Sequence, residues 1–157
     1  MFFKIFIFLL IFIKSSYSHE LRPAIANLNI YEKDNIINAS LTIRLNLEAI
    51  IAELDMSHSN TKVSKESDQY ESLRNMSAVD LLEQFNSKII NLQKKIYLTS
   101  VNSNYSLTLL NIDIPEVGNT DIIRDTIINF DIKNIKDEDL KFSWDKNLGS
   151  IILRVNS

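Results

Sequence analysis

From Ile37 to Glu48 apolar and polar residues alternate without a break. Ile37, Ala39, Leu41, Ile43, Leu45 and Leu47 stand against Asn38, Ser40, Thr42, Arg44, Asn46 and Glu48. Successive side chains of a strand point to opposite faces, so this period of two predicts a long strand with one wet face. Ala24, Ala26, Leu28 and Ile30 alternate with Asn27 and Asn29 in the same way, and Lys33-Asp34-Asn35 between the two runs is a polar turn. Together they predict an antiparallel hairpin.

Asp55 to Asp68 is polar and rich in Ser, Lys and Asn, which predicts a loop. The period then changes. Tyr70 and Leu73 open a helical section, and Val79, Leu82, Phe85, Ile89 and Leu92 follow at helical spacing, a stripe suited to packing onto a sheet. Ser77, with Asp80 three residues on, is an N-cap signature for the second helix. Strands resume at Lys95 to Val101 and Tyr105 to Ile114, around the turn Asn102-Ser103-Asn104. Pro115 to Asn119 is a loop, and Ile122 to Ile132 is the next strand. Adjacent Ile127 and Ile128 break its alternation and predict a bulge. Leu140, Phe142 and Trp144 alternate with Lys141, Ser143 and Asp145; Lys146 to Gly149 turns the chain; Ile151 to Val155 closes it. Gly118 and Gly149 both fall in turns, where positive φ is useful. The sum is a mainly-β chain, read as an antiparallel β-sandwich of about seven strands with a helical insertion after the second strand.

The first 18 residues stand outside this pattern. Met1 to Lys4 form a short positive region, Ile5 to Ile13 are unbroken large apolar residues, and Lys14-Ser15-Ser16-Tyr17-Ser18 is polar. That order is a secretory signal peptide, with Ser16 and Ser18 as the small residues before the cut. The apolar run falls well short of the roughly 20 residues that cross a bilayer. The expected layout is therefore 1–18 signal peptide and 19–157 a single β-rich periplasmic domain. A chain of 157 residues, 45% hydrophobic, can bury one core and is not composed for disorder; two Gly and two Pro exclude collagen-like architectures. Cleavage would remove Lys4 and Lys14 and leave the chain two charges more negative than its full-length −3, which argues against a nucleic-acid partner. Zero Cys excludes disulfides, thiolate zinc sites and bacterial lipid attachment. The 24 Ile and 17 Asn fit an AT-rich bacterial genome.

Catalytic motifs are absent. Two glycines make no phosphate-cradling loop, dinucleotide fingerprint or nucleophile elbow, and scattered carboxylates in an acidic chain do not argue for glycosidase chemistry. The expectation is a non-enzymatic protein. One pointed feature is His19, which cleavage after Ser18 would make the mature N-terminus. Its α-amine and imidazole form a chelating pair, and a second imidazole from His58, in the polar loop beside Asp55 and Met56, would complete a three-nitrogen site suited to copper. Set against that, His19 can be an ordinary terminal residue and His58 a solvated one. Arg124-Asp125 reads as a structural ion pair at a sheet edge rather than an anion site.

Five stretches carry a resemblance: HELRPAIANLNI, LNLEAIIAELD, YESLRNMSAVDLLEQF, PEVGNTDIIRDTIINF and FSWDKNLGSIILRV. In this order they resemble the extracytoplasmic N-terminal region of HupE/UreJ family bacterial membrane proteins, linked to nickel supply for hydrogenase and urease. The resemblance spans His19 to Val155. It implies a soluble head that assists transition-metal handling, nickel or copper, or scaffolds a membrane partner. Such proteins continue into membrane helices bearing His and Asp residues, and none of those residues is in this sequence. Either the chain is a truncated or split version whose C-terminal membrane domain lies elsewhere, or it is a free-standing periplasmic relative. The alternative reading is a free-standing copper protein using His19, as a carrier or a mono-copper redox enzyme. A third is a purely structural interaction module.

Overall fold

The structure is a computed structural model that describes residues 22–54, 65–136 and 139–157. It is mainly β, with eight strands in two sheets among the described residues. Strands β1 (Ala24–Lys33) and β2 (Ile36–Asn46) form the hairpin that the alternation predicts, with Ala26 opposite Ile43 and Leu28 opposite Leu41. Asp34 and Asn35 turn the chain at φ 55° and 59°, the left-handed conformation that Asn and Asp tolerate best among residues with a side chain. β6 (Asp125–Ile135) pairs antiparallel with the far side of β2, and β5 (Thr108–Asp113) with β6. β8 (Ile151–Asn156) lies parallel to β1, giving the order β5-β6-β2-β1-β8. A smaller sheet holds β3 (Ile96–Thr99) between β4 (Asn104–Tyr105) and β7 (Lys141–Trp144).

Between β2 and β3 the described residues form four short helices: α1 (Leu47–Ile51), α2 (Lys65–Arg74), α3 (Ala78–Asn86) and α4 (Ile89–Gln93). One buried cluster joins them to both sheets. Leu28, Leu41, Ile43, Ile128, Phe130 and Ile132 enter it from the large sheet, Leu81 and Phe85 from α3, and Ile96 and Leu98 from β3. Each such side chain, fully buried, contributes about 1.5–3 kcal/mol. The opposite face of the large sheet carries polar pairs bonded to one another: Thr42 Oγ1 donates to Asn129 Oδ1 at 2.7 Å, and Asn156 Nδ2 to Asn29 Oδ1 at 2.7 Å.

Several local expectations are corrected. Leu47 and Glu48 do not continue β2. Asn46 stops the strand by accepting from the Ala49 amide at 3.1 Å, which starts α1. Lys65 to Asp68 belong to α2 rather than to a loop, and 55–64 lie outside the described residues. Val79, expected in the apolar stripe, is 72% exposed; Phe85 and Leu92 of that stripe are buried, and Leu81, which the stripe left out, is buried with them. Ser77 does cap α3, accepting from the Asp80 amide at 3.1 Å. The run Tyr105 to Ile114 splits, its first residue closing the small sheet and Thr108–Asp113 joining the large one. The strand expected from Ile122 begins at Asp125. Ile127 and Ile128 pair regularly with Arg44 and Ile43; the bulge sits where Ile37 and Ala39 face Ile135 and Ile132, with Asn134 at φ 56°. Of the glycines only Gly149, at φ 83°, uses a positive φ.

Candidate functional site

The metal residues proposed from sequence, His19 and His58, lie outside the described residues. Among the described residues no group of three or more His, Cys, Asp or Glu side chains could hold a metal ion. No described helix is long and apolar enough to cross a membrane.

What the fold does assemble is a buried ionic cluster under α1 and α2. Asn46 caps α1 through its carbonyl oxygen while its amide nitrogen donates to the Tyr70 hydroxyl at 2.8 Å. Glu48, in the first turn of α1, is 1% exposed and accepts from Arg124 Nε at 2.6 Å. Arg124 sits one residue ahead of β6. Its other nitrogens donate to three backbone carbonyls: Met76 at 3.1 Å, Pro115 at 3.3 Å and Leu73 at 3.3 Å. Leu73 lies in the last turn of α2, where carbonyls have no intrahelical donor, so Arg124 serves as a C-terminal cap as well as an ion-pair partner. The ion pair expected at Arg124-Asp125 is therefore two separate pairs. Arg124 takes buried Glu48, and Asp125 stands 4.0 Å from the exposed Arg44.

Arg74 completes the cluster. Its side chain is 4% exposed, its guanidinium lies 5.4 Å from the Tyr70 ring centroid, and Nη1 is 3.4 Å from Glu71 Oε1. Burial pushes the Tyr70 phenol above its ordinary pKa of 10.0, against the opposing pull of the Asn46 bond and of the Arg74 charge. Glu48 Oε2, Arg74 Nη2 and Thr126 Oγ1 are buried without a hydrogen-bond partner among the described residues. Such a group costs about 1–3 kcal/mol, more when charged. A small cavity of about 20 Å³ opens between Glu48, Tyr70, Arg74 and Arg124 and the loop Val117, Gly118, Asn119, Thr120. Nearby, Lys88 Nζ donates to Ile51 O and to Glu53 Oε1, both at 2.9 Å. That hydrogen bond, then the Lys88 charge, holds the Glu53 carboxyl below its usual range.

The second notable surface is β8. It ends the large sheet, and among the described residues no strand pairs with its outer side. Ile152, Leu153 and Val155 are 48%, 39% and 55% exposed. Elsewhere a shallow groove of about 440 Å³ runs beside β3 and β4, lined in part by Ile90, Gln93 and Tyr97.

Sequence reasoning missed Glu48 and Arg74. Glu48 passed as the wet residue of an alternating strand. The signal for it was the run Ala49-Ile50-Ile51-Ala52, which breaks the period of two directly after Glu48 and so makes Asn46 a capping residue and Glu48 an acid in the first turn. No family profile, curated protein or solved structure matches this chain.

Proposed function

We propose that the protein is an exported, non-enzymatic docking domain that receives an extended segment of a membrane partner along the open edge of β8. The observation that carries this reading is the apolar, unpaired edge strand itself. Ile151, Ile152, Leu153 and Val155 fill four of its six positions, and an exposed regular edge is a template for strand addition. Arg154 is the one charge on β8, so the incoming strand is apolar with an acidic residue facing Arg154. Export follows from the signal-like residues 1–18, and the membrane partner from the resemblance to the soluble head of HupE/UreJ proteins. In this reading the two sheets form a β-sandwich with a helical insertion after the second strand. Nickel or copper handling enters only through that resemblance and through His19 and His58.

Photo-crosslinking in cells tests the proposal. A benzoylphenylalanine at Leu153 is expected to label an integral membrane protein, and one at Leu110 on the opposite edge is not. Arg154→Glu should weaken the label severalfold. Equal labelling from both edges, labelling only of a second copy of this chain, or none at Leu153 would overturn it.

A further inference from the structure

The cavity beside the Glu48–Arg124 pair holds two charged groups that the fold leaves half-used. Glu48 Oε2 and Arg74 Nη2 both lie without a protein partner among the described residues, and both residues line the same space. Their side chains are 1% and 4% exposed, so bulk water does not serve them. A polar pocket needs about 10–15 Å³ of such space to take one water. The roughly 20 Å³ here is therefore room enough for an oxygen-sized group.

Charge selects the chemistry of that group. An anion has no proton to give Glu48 Oε2 and would be repelled by its carboxylate. A cation has no lone pair for Arg74 Nη2 and would meet a second guanidinium, Arg124, on the same wall. One atom that both donates and accepts satisfies the two together, and a hydroxyl-type oxygen is such an atom. We propose that this cavity is a binding site for a single neutral hydroxyl-type oxygen, which donates to Glu48 Oε2 and accepts from Arg74 Nη2. In the free protein the source is a long-lived water; the hydroxyl of an alcohol-bearing guest presents the same chemistry. Gly118 is among the lining residues, and a Cβ built there would meet nothing within 4 Å. This site is independent of docking at β8.

Oxygen-17 relaxation dispersion of the purified protein, with water-to-arginine cross-relaxation on ¹⁵N-labelled chains, tests the assignment. Wild type is expected to show a long-lived water contacting the Arg74 guanidinium. Arg74→Met keeps an unbranched stem against Tyr70, removes the donor, and should lose one water's amplitude. The cross-relaxation measurement needs no variant, so a poorly folding mutant leaves the test intact. A methanol titration separates the sources. Shifts at Arg74 with loss of the water signal show that a guest hydroxyl takes the site, and an unchanged water signal shows that solvent alone does. Absence of both a long-lived water at Arg74 and a methanol response overturns the proposal, as does an unchanged water count in Arg74→Met.

Discussion

The large sheet has two edges, and they are built differently. β5 carries a register shift between Leu109 and Asn111 against β6, exposes Asn111 and Asp113, and runs directly toward Pro115. A bulge, a charge and a nearby proline are the devices by which an edge resists pairing with another chain. β8 has neither the bulge nor the proline. It pairs with β1 in unbroken register from Ala24 and Ile151 to Asn29 and Asn156, and its one charge is Arg154. The same sheet thus guards one edge and, among the described residues, leaves the other regular and unpaired. Anchoring differs as well. The connection leaving β5 is fixed to the helices by Arg124 through Pro115 and Met76, whereas β8 is held, among the described residues, by its pairing with β1, by Ile151 against the core and by a side-chain bond from Asn156 to Asn29.

Removing the anchor should give the largest effect. Arg124→Ala strips Glu48 of its partner in a buried setting, and breaking such a pair costs about 3–5 kcal/mol. Denaturant unfolding is expected to show that loss, and hydrogen exchange should show it opening the β5–β6 connection before β8. Replacing both charges, Glu48→Gln with Arg124→Met, should recover much of it, because no lone charge is left buried. A loss below about 1 kcal/mol for Arg124→Ala would mean that the cluster does not anchor this side. Asn46→Ala comes next, at about 1 kcal/mol or somewhat more, since the substitution removes both the α1 cap and the bond to Tyr70.

Alkali sharpens the contrast further. The folded pKa of Tyr70 is raised above 10.0, so the native state holds this proton more tightly than the unfolded chain does. The associated stability is fully present below pH 10 and is lost as pH rises through the folded value. A stability–pH curve should fall in that range, and Tyr70→Phe should flatten the fall. The same slope in wild type and variant would place the alkaline weakness elsewhere.

The β1–β2 hairpin is written plainly in the sequence, because a period of two with a polar turn leaves few other solutions, and Ser77 announces α3 for the same local reason. The ionic cluster is not local. Glu48 and Arg124 are far apart in the chain and meet because β2 pairs with β6, which sets Asn46 opposite Asp125. Single-residue patterns carry no record of that meeting. The fate of Tyr105 to Ile114 is similar: its alternation supports a strand, but which sheet each half joins is decided by partners distant in sequence. The openness of β8 was equally out of reach, since Ile151 to Val155 reads the same whether the strand lies at the centre or the edge of a sheet. Only the order of strands distinguishes the two.

The smallest effect on stability, and the most discriminating for function, should come from the open edge itself. Val155 pairs with Leu28 yet is 55% exposed, so a lysine there can keep its stem on the sheet and its ammonium in water. Val155→Lys is expected to move stability by no more than about 0.5 kcal/mol. It also adds, next to Arg154, a second charge of the kind that natural edges use to repel an incoming strand. Crosslinking from Leu153 should then fall to the background seen from Leu110 while the unfolding midpoint stays in place. A large drop in the midpoint would make β8 part of the core rather than an available edge. Undiminished crosslinking with an unchanged midpoint would show that the partner, if it binds here, does not add a strand, and the contrast between the two edges would lose its functional meaning.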